Sequence, residues 1–310
     1  MSTYRYLFGP VPSRRLGESL GVSPIPDHTC NYSCVYCQLG RTTHMTNTRQ
    51  EFYPLEEIVA EFDAYLKGST PFDVVTLVGE GEPALYSRLG ELIDALKART
   101  DKPVAVITNG ALLGDAQMRR ELARADIVLP SLDAVTEEGF KAIDRPMGSI
   151  SFAAMSEGLK TFSREYEGQL WMEIMLVAGM NDSEADLYAF RDFLKEVDYD
   201  RIYINTPVRP PAEGFVHTSS PETIARAVEI LGGISIDQLT SGSFFSEISD
   251  PYEAVLSIAR RHPMNAFEVD GFLESRGMPL PERQALLERL GADPAVEMVT
   301  YKGLVSYRIR

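Results

Sequence analysis

Basic residues are scarce in this chain. Lysine and arginine number 30 against 45 aspartates and glutamates, for a formal net charge of −15. Broad, sequence-independent nucleic-acid binding needs many phosphate-neutralising cations, so that class is not expected. A local basic patch stays open, because Arg14 and Arg15 are adjacent and Arg41 follows soon after. Long apolar runs are missing as well. None is long enough to span a bilayer, and Met1-Ser2-Thr3-Tyr4-Arg5 does not begin a basic-then-apolar signal segment. No membrane association and a cytoplasmic location are the expectation. No internal repeat or low-complexity tract occurs. The composition, 44% hydrophobic and 24% charged, is ordinary for a globular protein of one large domain, or one large and one small.

Cysteine is scarcer still. There are three in 310 residues, and all fall within Thr29-Cys30-Asn31-Tyr32-Ser33-Cys34-Val35-Tyr36-Cys37. The pattern is CxxxCxxC. Three thiolates on one short loop can hold three irons of a cubane iron–sulfur cluster. With no fourth cysteine, the fourth iron lacks a protein thiolate and is open to a chelating small molecule. Scattered core cysteines have no reason to share this spacing. Zinc is the rival ligand: it takes four donors, and His28 or His44, which flank the loop, would complete a Cys3His site. A zinc-stapled binding protein is therefore one alternative, and a non-enzymatic iron–sulfur regulator binding nucleic acid is another. Tyr36 sits directly before the third cysteine, where its ring can stack on a planar base.

Strand-like and helix-like patterns alternate through the first two thirds of the chain. Ser19 to Ile25 reads as a first strand, and the cysteine loop follows it. Pro54 opens a helix with Leu55, Ile58, Val59, Phe62, Tyr65 and Leu66 at three-and-four spacing, ended by Gly68. Strands are expected at Val74–Val78, Val104–Thr108, Ile127–Leu132, Leu170–Val177 and Arg201–Asn205. Helices are expected around Leu89–Leu96, Ala116–Ala123, Thr136–Ile143 and Phe152–Phe162, then after a cap at Asp182 or Ser183. Six β–α units imply a parallel sheet with helices outside, curled by right-handed crossovers into an open, partial (β/α)6 barrel. Polar segments fall at the C-terminal ends of the strands: Gly79-Glu80-Gly81-Glu82-Pro83, Thr108-Asn109-Gly110, Ser131-Leu132-Asp133, Gly179-Met180-Asn181-Asp182 and Asn205-Thr206-Pro207. Barrel sites are built on that rim. Trp171 and Glu173 on the fifth strand, and Arg209 after the sixth, are candidates to face a substrate cavity.

Pro207-Val208-Arg209-Pro210-Pro211 marks a boundary, giving a barrel over residues 1–218 and a second domain over 219–310. In the second domain, helices are expected at Pro221–Leu231, Ala254–Arg260, Ala266–Leu273 and Glu282–Leu290. Ala295–Ile309 reads as two strands turning at Lys302-Gly303, a winged-helix-like pattern. Its acidic balance favours packing or protein recognition over nucleic acid, although Lys302, Arg308 and Arg310 gather at the wing.

CxxxCx(aromatic)C resembles the cluster motif of the radical S-adenosylmethionine (radical SAM) superfamily. The resemblance implies a [4Fe–4S] cluster on Cys30, Cys34 and Cys37. It implies S-adenosylmethionine chelated to the open iron, and reductive cleavage to a 5′-deoxyadenosyl radical that takes hydrogen from a substrate. Tyr36 then resembles the adenine-stacking aromatic. Glu80-Gly81-Glu82-Pro83 resembles the GGE-type segment at the cofactor amino group, with Glu80 where glycine is usual; that departure leaves open which glutamate points inward, with Glu82 favoured and Gly81 giving close backbone approach. Asn109 resembles a strand-end cofactor contact, Ser131 and Asp133 the ribose contacts, and Arg145 the partner of the cofactor carboxylate. An electron donor such as flavodoxin or ferredoxin is implied. Phe8-Gly9-Pro10-Val11-Pro12-Ser13-Arg14-Arg15-Leu16-Gly17, with the cysteine loop and Gln38-Leu39-Gly40, resembles a wyosine-synthase-related group. Wyosine synthases hold a second cluster on further cysteines, which this chain lacks, so tRNA modification is the alternative and an unidentified substrate the lead.

Anaerobic reconstitution is expected to load about four irons and four sulfides per chain. Cys34→Ala should abolish the visible charge-transfer absorption. Stoichiometric zinc without sulfide in the reconstituted protein would overturn the cluster assignment.

Overall fold

Val74–Leu77 and Ile127–Pro130 are buried at every position, as strands covered on both faces must be. The computed structural model describes residues 4–68, 70–236, 244–246, 248–301 and 304–310. The parallel strands of the main sheet are β2 (Gly17–Val22), β5 (Val74–Leu77), β6 (Val104–Thr108), β7 (Ile127–Pro130), β8 (Gln169–Met175) and β9 (Arg201–Asn205), hydrogen-bonded in that order. The antiparallel β1 (Leu7–Ser13) adds one edge beside β2, and the short parallel β10 (Ile234–Ser235) adds the other beside β9. The sheet does not close. It is the expected α/β partial barrel, extended at both edges.

Helices α1 (Leu55–Tyr65), α2 (Leu89–Lys97), α3 (Ala116–Leu122), α4 (Glu137–Ile143), α5 (Phe152–Glu165), α6 (Glu184–Leu194) and α7 (Pro221–Leu231) carry the crossovers. Local chemistry starts them. Asp115, Thr136 and Ser151 cap α3, α4 and α5 through their side-chain oxygens, and Ser183 forms a capping box with Asp186 on α6. The period-2 alternation of each strand splits its side chains between two layers. Val75, Leu77, Val104, Val106, Val128, Met172, Ile174, Ile202 and Ile204 pack outward under the helices. Val74, Ala105, Ile127, Leu129, Trp171 and Tyr203 point inward and fill the barrel floor. Trp171, expected as a cavity residue, belongs to that floor, with its ring 5.7 Å from Tyr203 and the Arg201 guanidinium 4.5 Å from its centroid.

Two further departures have physical reasons. The first strand starts earlier than Ser19 and is preceded by β1. The Gly- and Pro-rich run Phe8–Ser13 hides an edge strand, where proline costs no ladder bond. Helix α7, placed by sequence in the second domain, packs on α6 and β9, and its Ile224, Ala227 and Leu231 join the barrel core.

The remaining segment comprises α8 (Pro251–Arg261), β11 (Met264–Asn265), α9 (Ala266–Ser275), α10 (Leu280–Ala292), β12 (Val296–Tyr301) and β13 (Leu304–Ile309). Its sheet has the order β11-β13-β12. Helix, strand, helix, helix, strand, strand is a winged-helix-like order; the expected turn at Lys302-Gly303 lies outside the described residues. The segment has its own core, and Phe8 and Val11 of β1 belong to it. Among the described residues no helix is long and apolar enough to cross a membrane.

One buried amide ties the rim together. Asn181 donates to the carbonyls of Asp133 and Met175, both at 2.8 Å, and accepts from the Val177 N–H at 2.7 Å. Asn181→Ala leaves those groups unpaired and should cost on the order of 2 kcal/mol in urea unfolding. An unchanged midpoint would show that the rim does not depend on it.

Candidate active site

The cysteine loop leaves β2 at the C-terminal end of the sheet and is fastened on two sides. On one, β3 (Thr29–Cys30) pairs with β4 (His44–Met45), and Thr29 bridges to Gly81. On the other, the loop binds the end of α4. Val35 N–H donates to Ile143 O at 2.9 Å, Ser33 N–H to Asp144 O at 3.1 Å, and Met147 N–H to Asn31 O at 2.8 Å. Cys30, Cys34 and Cys37 all line one cavity of about 300 Å³ at the barrel mouth. Of the other residues singled out by sequence, Tyr36, Gly81, Glu82, Asn109, Ser131, Glu173 and Arg209 also line it. Asp133 and Arg145 do not.

Gly81 is required by close approach. A Cβ there would stand 1.7 Å from the Thr29 carbonyl oxygen. Glu82 lines the cavity with its carboxylate held by protein donors. Its carboxylate caps the short 3-10 turn Pro83–Leu85 through Ala84 N–H at 2.9 Å, and accepts from Thr108 Oγ1 at 2.6 Å and Asn109 N–H at 2.7 Å. Burial lifts its pKa to about 6 against the pull of these donors. Asn109 donates from Nδ2 to Asn31 Oδ1 at 2.7 Å, beside the Cys30 sulfur at 3.6 Å.

Asp133, expected as a ribose contact, lies off the cavity lining and beside Tyr36. It accepts from the Tyr36 hydroxyl and from Met175 N–H at 2.7 Å, so its carboxylate orients the Tyr36 ring. Burial pushes the Asp133 carboxyl upward, and that of buried Asp144 further, with the Asp133 charge adding to the burial. Arg145, expected at the cofactor carboxylate, is likewise off the lining. Its guanidinium binds Glu213, which Arg41 grips with two bonds at 2.9 and 2.8 Å. Glu213 lies in the loop after β9, and its N–H donates to Val35 O at 3.1 Å. These charges lash that loop over the cysteines. Both arginines hold the Glu213 carboxyl below its usual range. No sequence pattern announced Glu213, an isolated acid in a Pro/Gly loop.

Glu173 on β8 is paired with the Arg15 guanidinium inside the cavity, and Asn205 Nδ2 donates to it at 3.4 Å. Burial lowers Arg15 to about 10. Arg15 was visible in sequence only as half of a basic pair in the Pro12–Gly17 run. Arg209 bridges to the C-terminal segment, binding Glu268, the Pro263 carbonyl and His262. Arg308 is not a free wing cation. It pairs with Glu297 at 2.7 Å and reaches the carbonyls of Gln38 and Pro211 at 3.5 Å.

The three thiols fit an iron–sulfur cluster. Each opens on the same space, and the Tyr32 N–H donates to the Cys30 sulfur at 3.4 Å. Burial pushes the Cys30 thiol up to about 12, Cys34 well above its usual range and Cys37 upward, the last opposed by loop N–H groups and Arg308. Their ionisation needs a bound cation, so metal loading and proton release are coupled.

The family model of the Radical SAM superfamily matches residues 25–191, more than half of the sequence. The chain belongs to that superfamily, whose enzymes use a [4Fe–4S] cluster and S-adenosylmethionine. It is similar to a UPF0026 protein of Methanocaldococcus jannaschii, 35% identical over 83% of this chain and 82% of that protein. It is also similar to a GTPase Obg of Brachyspira hyodysenteriae, 41% identical over 66% of this chain; the match spans 30% of that protein's length. A solved radical SAM methyltransferase from Sphaerobacter thermophilus shares the fold, with a TM-score of 0.53 and 18% identity over 71% of this chain and 67% of that one.

Glu80 shows how dry the rim is. It lies 3.5 Å from Arg261, yet burial outweighs the pairing and lifts its carboxyl from 4.5 to about 7, while Arg261 is lowered. The folded state therefore binds this proton more tightly than the unfolded chain. The resulting stability is complete below about pH 4.5 and is lost as pH rises through about 7. Urea unfolding across that window should show the decline, and Glu80→Gln should make it shallower, leaving the part carried by Glu82, Asp133 and Asp144. An unaltered slope in the variant would assign the decline elsewhere.

Proposed function

We propose that this chain is a radical SAM enzyme acting on a substrate outside the tRNA-modifying class, with Cys30, Cys34 and Cys37 as the cluster ligands. The observation that carries the reading is convergence. The three cysteines and the strand-end segments Gly79–Glu82, Thr108–Asn109 and Ser131 line one cavity. Bound there, the cluster and S-adenosylmethionine would supply a primary carbon radical by one-electron reductive cleavage.

The chain's own residues divide the work. Tyr36 presents a ring whose tilt is set by Asp133. Gly81 leaves backbone bare at the amino-group end, and Asn109 and Ser131 offer polar contacts along the rim. Glu82 and Asp133 are positioning residues, since their oxygens are already engaged. Arg145 acts through Glu213 to hold the covering loop. The apolar floor below Glu173 and the second domain above the cysteine loop limit water access. A cytoplasmic location and an external donor such as flavodoxin or ferredoxin complete the reading. The tRNA alternative loses ground because Arg308 is turned inward and paired.

The test is anaerobic. Reconstituted protein with dithionite and S-adenosylmethionine should release 5′-deoxyadenosine and methionine without added substrate, slowly. Cys30→Ala should release none, and Tyr36→Ala should raise the apparent cofactor KM more than it lowers iron content. Equal release from iron-free protein would overturn the assignment.

A further inference from the structure

A second, smaller chamber of about 150 Å³ adjoins the cysteine cavity, and Arg15, Asn205 and Arg209 line both. Arg14 and His262 line the smaller one alone, with Glu268. Its charges do not balance. Arg15 is answered by Glu173. Arg209 is answered by both oxygens of Glu268, each at 3.1 Å. Among the described residues, half-buried Arg14 has no hydrogen bond and no ion pair. His262 is buried there, and desolvation with Arg209 and Arg14 beside it holds it well below its usual range. Among the described residues, three guanidinium groups thus face two carboxylates.

A partly desolvated cation without a counter-charge is costly, and a bound anion would offset that cost. Arginine suits the role, because its fork matches carboxylate and phosphate oxygens two at a time. The volume suits an anionic group of a few non-hydrogen atoms.

We propose that this chamber holds the anionic end of a small-molecule substrate, a carboxylate or a phosphate bound by Arg14, with the reacting carbon extending into the cysteine cavity. The proposal rests on the reading of the larger cavity as the radical SAM site. Arg14 is then a substrate-binding residue. The Arg209–Glu268 pair is a positioning element that fixes the chamber wall against the second domain.

The experiment is anaerobic calorimetric titration of the reconstituted full-length protein with succinate, inorganic phosphate and unfractionated tRNA in separate arms. Saturable binding of succinate or of phosphate is expected, and the arm that responds identifies the class. Arg14→Ala should weaken that binding about tenfold or more, while Arg14→Lys should keep most of it. Arg14→Gln serves as a second charge-removing variant if Arg14→Ala fails to fold, as judged by its melting curve. Failure of both small anions to bind, equal binding by wild type and Arg14→Gln, or binding of tRNA alone would overturn the proposal. 5′-Deoxyadenosine release is measured on the same preparation. Release without anion binding faults the chamber alone. Anion binding without release faults the cofactor reading alone.

Discussion

The site depends on one close approach, between the backbone at Gly81 and the Thr29 carbonyl. Any side chain at position 81 would drive the cysteine loop off the strand-end segment. With the gap closed, Glu82 N–H bonds Thr29 O at 3.2 Å, and the Glu82 carboxylate joins the ends of β5 and β6. Asn109 then holds Asn31 next to Cys30. The place of Cys30 is therefore inherited from the sheet through a chain of buried hydrogen bonds. That arrangement keeps a loop ligand rigid when its sulfur would otherwise wander by a side-chain rotation.

The opposite flank uses charge where the first uses backbone. Arg41, Glu213 and Arg145 bring together three segments far apart in sequence. Arg41 is largely exposed, so its pair contributes modest stability. What it supplies is registration of the loop after β9 against the cysteines. The two flanks together hold the cysteine loop against the strand ends from both sides.

The barrel was largely legible in sequence, because its buried strands are short apolar runs and its helices carry three-and-four stripes, several of them opened by a side-chain cap. Edge strands escaped. β1 is written in glycine and proline, and β10 is two residues long. The cysteine ligands were legible because their spacing is itself the chemistry. Polar residues were legible in position and less so in role. Glu82, Asp133 and Arg145 stand where the motif puts them, but their functional atoms face protein partners. Which way a carboxylate turns depends on donors that only folding assembles. The Arg15–Glu173 and Arg209–Glu268 pairs are farther still from sequence, since each joins segments more than fifty residues apart.

The contact from Arg308 to the Gln38 carbonyl spans 270 positions of chain. Synthesis runs from the N-terminus, so the cysteine loop exists long before the strand that overlies it. Until β13 docks, the flank of the loop near Cys37 stands uncovered. The approach to Cys37 from that side is thus open while the chain is being made and narrows once Arg308 reaches the Gln38 and Pro211 carbonyls.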